Sequence, residues 1–129
     1  MLMKEITYDD YDGNKRTEKF YFNLNKAELT EMEMAKDGGL VKTIEVIIET
    51  EDNKRIIEIF KDLILKAYGE KSLDGKRFKK SQEIRDSFAQ TEAYSELFME
   101  LATNDKAAAA FIDGITPVIA APNAVPNGI

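Results

Sequence analysis

The side chains in this sequence that could do chemistry are carboxylates, serines and lysines, because it contains neither histidine nor cysteine. Without histidine, a serine such as Ser72 or Ser95 has no imidazole to take its proton, and the commonest metal ligand is missing. A lysine could act as the base, but nothing in the sequence marks one. Without cysteine there is no disulfide and no thiolate metal site. The neighbouring carboxylates Asp9 and Asp10, and Glu31 with Glu33, read as solvated faces. Asp-Gly occurs at Asp12-Gly13, Asp37-Gly38, Asp74-Gly75 and Asp113-Gly114. None of these continues into a calcium loop of alternating oxygen ligands closed by a late glutamate. They read as turns and helix ends. Gly38-Gly39 lacks the spacing and the lysine of a phosphate loop. The sequence therefore predicts no catalytic residue, no cofactor site and no metal site, and a protein that is not an enzyme.

Binding chemistry is better represented. Lys71, Lys76, Arg77, Lys79 and Lys80 make a basic segment around one aromatic, Phe78, which could stack on a base. In the alternative reading these cations neutralise helix C-termini and Phe78 anchors the segment in the core. The chain carries 18 basic and 24 acidic residues, a net charge of −6. That balance disfavours a phosphate backbone or an anionic lipid surface, and so favours the structural reading. The acidic excess suits a protein that must not stick indiscriminately. Four residues stand out as candidate contacts for a protein partner. Tyr21 faces away from Phe20 and Phe22, and Met32, Met34 and Met99 are adaptable side chains suited to imprecise partners.

The elements that must position these groups follow from periodicity and caps. Residues 4–24 predict a β-hairpin: Ile6 and Tyr8 alternate with polar residues, Asp12-Gly13-Asn14 turns, and Phe20, Phe22 and Leu24 share one face. The aromatic second strand, KFYFNL, carries one charge and is expected at an open sheet edge, where it could pair with a second copy. Asn25 with Glu28 forms a capping box for a helix that Asp37-Gly38-Gly39 ends. Leu40–Glu49 has helical spacing, although its β-branched content would suit a strand. The clearest helix runs from about Lys54 to Tyr68, with Ile56, Ile57, Phe60, Leu63, Ile64, Ala67 and Tyr68 in one apolar stripe. Asp52 or Asn53 can cap it, and Gly69 can end it. Residues 69–80 read as a loop. Ser81, Thr91 and Asn104 or Asp105 then cap three short helices, the last ended by Thr116-Pro117. Phe60 and Phe98, each in the middle of an apolar stripe, are expected in the core.

Together these elements predict a mostly helical α+β domain of about six short helices with an N-terminal β-hairpin. One domain spans residues 1–116, which fits a chain of 129 residues. Residues 117–129 hold all three prolines and no charge, and read as a flexible tail. The N-terminus, MLMKEITYDD, has no signal-peptide core, and no apolar run approaches the roughly 18 residues of a membrane span. The expected location is the cytosol where the chain is made.

The order of several phrases resembles the tail assembly chaperones of long-tailed, siphovirus-type bacteriophages. They are Phe22-Asn23-Leu24-Asn25 with Glu28-Leu29, then Ile59-Phe60-Lys61, then Tyr68-Gly69-Glu70-Lys71-Ser72. Asp74-Gly75-Lys76-Arg77-Phe78 follows with Lys80-Ser81, and finally Gln90-Thr91-Glu92-Ala93-Tyr94 with Phe98-Met99-Glu100-Leu101. The resemblance covers residues 18 to 116. It implies a protein that coats the tape measure protein, keeps it soluble and recruits the major tail (tube) protein as the tube polymerises. It further implies action in the cytoplasm of the bacterial host, absence from the mature virion, and in some members a longer frameshifted form. A homo-oligomer is expected from the strand edge. The rival readings are a nucleic-acid-associated phage regulator using the basic segment, and a structural tail or connector subunit.

Overall fold

Asp10 builds the turn that folds the N-terminal segment back on itself. Its carboxylate accepts the backbone N–H groups of Asp12 and Asn14, each at 2.9 Å, and the Nε–H of Arg16. Gly13 sits at φ +84°, a left-handed conformation open to glycine at little cost. The computed structural model describes residues 1–34 and 53–117, and shows the hairpin as β1 (Leu2–Asp9) and β2 (Lys15–Phe22). The register pairs Leu2 with Phe22 and Asp9 with Lys15. Met3, Glu5, Thr7 and Asp9 face solvent, whereas Ile6 is buried beneath the helices. Cross-strand pairs secure the outer face: the Thr7 and Thr17 hydroxyls lie 2.9 Å apart, and Lys15 lies 3.5 Å from Asp9.

The helix starts follow the caps. At α1 (Lys26–Met34), Asn25 Oδ1 accepts the Glu28 N–H at 2.8 Å and Glu28 Oε1 accepts the Asn25 N–H at 2.9 Å. The long helix α2 (Asn53–Ala67) buries Phe60, Leu63, Ile64 and Ala67. Ser81, Thr91 and Asn104 each accept a backbone N–H at the starts of α3 (Gln82–Ala89), α4 (Glu92–Thr103) and α5 (Asp105–Ile115). Thr116 is extended and ends α5 before Pro117.

Two expectations change between Tyr68 and Lys80. Tyr68 does not close α2, and residues 69–80 are not a plain loop. Tyr68–Lys71 forms β3, and Phe78–Lys79 forms β4, in a second hairpin. The sheet is therefore four-stranded and antiparallel, in the order β1-β2-β3-β4. Gly69 allows it. A Cβ there would lie 2.7 Å from the Phe78 ring and 2.9 Å from the Lys79 carbonyl oxygen. The second correction concerns β2. It is not an open edge at its aromatic end, because Tyr21 pairs with Gly69 and Phe22 with Tyr68.

The helices cover one face of the sheet, and α4 packs along β1. Phe22 is fully buried, edge-on to Phe88 and Phe111 at 5.8 and 5.4 Å between centroids. Tyr68 stacks on Phe88 at 4.0 Å. The chain leaving β2 is pinned to two helix ends: the Asn23 N–H bonds the Ala67 carbonyl and the Leu24 N–H bonds the Ile115 carbonyl, both at 2.8 Å. Phe60 is core as expected, while Phe98 is only half-buried beside Tyr94. Among the described residues there are five helices and the four-stranded sheet, a helix-rich α+β fold. The helix expected at 40–49, the stop at Asp37-Gly38-Gly39, the cap at Asp52 and the tail from 118 onward lie outside the described residues.

Candidate partner-binding surface

A groove of about 460 Å³ opens between α1, α2 and α3. Leu24, Met32 and Leu65 supply its apolar lining, and Glu28, Glu31, Asp62, Lys66, Gln82 and Arg85 its polar rim. One interaction between β2, α1 and the second hairpin frames it. Lys80 follows β4 and folds inward, donating to Glu28 Oε2 and to the Asn23 carbonyl, both at 2.7 Å. Burial pulls the Lys80 ammonium below its ordinary pKa, and the hydrogen bond and charge of Glu28 pull it back up. Glu31 enters none of the ion pairs among the described residues, and Asp62 is held by Lys66 at 3.7 Å. Arg85 adds an irregularity, since its Nε is buried without a hydrogen-bond partner.

The turn of the second hairpin is fastened from within. Ser72 is buried, its N–H bonds the Arg77 carbonyl at 2.8 Å, and its hydroxyl donates to Asp74 Oδ1 at 2.6 Å while accepting the Arg77 N–H at 3.0 Å. Asp74 also accepts the Lys76 N–H at 3.0 Å, and these bonds hold its carboxyl below the ordinary aspartate pKa. Gly75, at φ +76°, completes the turn. The side chain this network presents is Leu73, whose relative exposure is 106%. Lys71, Lys76, Arg77 and Lys79 lie on the same hairpin and enter no ion pair among the described residues. Phe78 is half-buried and does not pack on the core. Its ring lies against Gly69, and Lys80 sits 5.6 Å from its centroid.

The structure does not gather the expected contact residues into one site. Met32 lines the groove and is half-buried. Tyr21 lines a separate cleft of about 370 Å³, where β2 and β3 diverge beyond their two paired positions. Met99 is 54% exposed on α4 and lines neither. The Met34 side chain lies outside what the structure describes. Sequence reasoning passed over Leu73 and the lining pair Leu24 and Leu65. Leu73 left one readable sign: a single leucine between Ser72 and Asp74, with no apolar neighbour at helical or strand spacing. Among the described residues, no three carboxylates are placed to hold a metal ion, and no helix is long and apolar enough to cross a membrane.

Comparison with curated proteins and with solved structures gives no match. A family model does match. Its description is phage tail assembly chaperone, and it covers residues 1–122, which include every described element. The chain is a member of the phage tail assembly chaperone family.

Proposed function

We propose that this protein binds the tape measure protein of its phage, keeps it soluble and brings tail tube subunits to it as the tube grows. The reading rests on the family match over residues 1–122. A tape measure protein is long, helical and apolar, and needs its apolar faces covered until the tube closes round it. Met99, exposed on the regular helix α4, is a suitable contact for such a helix. Tyr21, Met32 and Met34 are further candidates. The acidic excess would keep the complex soluble. In this role the protein works as a homo-oligomer in the host cytoplasm and is left out of the finished virion.

Co-expression tests the reading. The soluble yield of the tape measure protein should rise, and the two proteins should co-purify. Unchanged yield without co-purification would contradict it. The net charge of −6 weighs against the nucleic-acid rival, which predicts a salt-sensitive gel shift lost when Lys76, Arg77, Lys79 and Lys80 become glutamine. The expected result is no shift with the unmodified protein.

A further inference from the structure

We infer that the hairpin tip carrying Leu73 docks in the α1–α2–α3 groove of a second copy of this chain. The inference extends the self-association proposed above by assigning its two surfaces, and it stands apart from tape measure binding.

Three observations carry it. The first is preorganisation. An exposed leucine on a mobile loop would mean little, but Leu73 is held out by a turn with five internal hydrogen bonds. Little ordering entropy remains to be lost when such a tip is bound. The second is charge. Residues 68–80 carry five basic and two acidic side chains, and the rest of the chain thirteen and twenty-two. The hairpin is thus a basic projection on an acidic body, and its complement is another copy's body. The third is the groove itself. Its lining is apolar at Leu24, Met32 and Leu65, and its rim carries Glu28, Glu31 and Asp62 beside Lys66 and Arg85, with Glu31 in no ion pair among the described residues. Leu73 fits the lining, and Lys76 and Arg77 fit the rim.

Other occupants fit less well. A nucleic acid would meet a body of net negative charge, and the side chain at the tip is a leucine rather than an aromatic. An anionic membrane would meet one leucine on a body of net negative charge. A chain cannot fill its own groove in this conformation, since its Leu73 is fully exposed. The contact joins two different surfaces, so each copy can give its hairpin to one neighbour and take one from another, or two copies can exchange hairpins. Either way the exposed Met99 lies outside the groove.

Sedimentation of the purified chain, without any tail protein, tests this. The unmodified chain should associate with rising concentration. Leu73→Asp and Glu31→Lys should each weaken association about tenfold or more. Both residues are exposed, so the fold should survive, and far-ultraviolet circular dichroism checks that. Mixing the two variants is the decisive arm. Leu73→Asp keeps its groove and Glu31→Lys keeps its hairpin, so one competent contact returns and a 1:1 heterodimer should form. The inference is overturned by a monomeric unmodified chain at high micromolar concentration, by association that Leu73→Asp leaves intact, or by a mixture that stays monomeric. Failure here leaves co-purification with the tape measure protein untouched, so the two readings can fail separately.

Discussion

Lys80 Nζ lies 2.7 Å from Glu28 Oε2, with the lysine side chain 11% exposed and the glutamate 30%. The same glutamate closes the α1 capping box through its other oxygen. One carboxylate thus ties the second hairpin to the first helix. Lys80→Met should cost about 1.5–3 kcal/mol, the range for hydrogen bonds to charged groups. Glu28→Gln should cost at least as much, because an amide oxygen can still accept the Asn25 N–H but its NH2 then faces the Lys80 ammonium, which loses its counter-charge. Chemical denaturation would measure both. Equal, negligible losses would mean that desolvation of Lys80 cancels the pair.

Phe60 and Phe98 should separate on truncation. Phe60 is buried on α2, and alanine there should cost about 3–5 kcal/mol. Phe98 is half-buried, so alanine there should cost about 1–2 kcal/mol. Urea unfolding of both variants distinguishes them, and equal losses would place Phe98 deeper than the structure does.

Gly69→Ala should destabilise the second hairpin by about 1–3 kcal/mol, the usual scale of overpacking. The Phe78 ring could swing away, but the Lys79 carbonyl oxygen belongs to the backbone of the paired strand. Amide exchange should then speed up first in β3 and β4. Unchanged protection at Glu70 and Lys79 would show that the strands can separate freely.

Asp74 sets an acid limit on the same hairpin. Hydrogen bonds from Ser72 and the Lys76 N–H lower its folded pKa below the ordinary 3.8. The folded state therefore holds fewer protons than the unfolded chain. Its contribution is complete above about pH 4 and is lost as pH falls through the lowered folded value. Asp74→Asn should flatten this part of the stability profile. An unchanged slope below pH 4 would remove Asp74 from the account.

Local signals were legible in the sequence, and signals that depend on distant partners were not. Asn25, Ser81, Thr91 and Asn104 cap where their side chains predict, because a cap bonds an N–H only two or three residues away. The first hairpin was equally plain, although Asp10 organises its turn more than the Gly13-Asn14 pair does. The second hairpin was missed for a physical reason. β4 has two residues, and β3 begins with a tyrosine that also completes the α2 stripe. What makes Tyr68 a strand residue is Phe22, forty-six positions earlier in the chain, which no local pattern reports. The same pairing took Tyr21 off the expected open edge. The groove was invisible for a related reason, since Leu24, Met32 and Leu65 come from three segments. Met32 alone was singled out, for its flexibility rather than its place.

The proposed role is to attend the tape measure protein during assembly and then leave. The most direct test is quantitative mass spectrometry of infected cells carrying an affinity-tagged copy, set beside purified virions. The account predicts that the tagged protein captures the tape measure protein from assembly intermediates and is missing from the virions. Stoichiometric amounts in finished virions, or capture of intermediates without the tape measure protein, would contradict it.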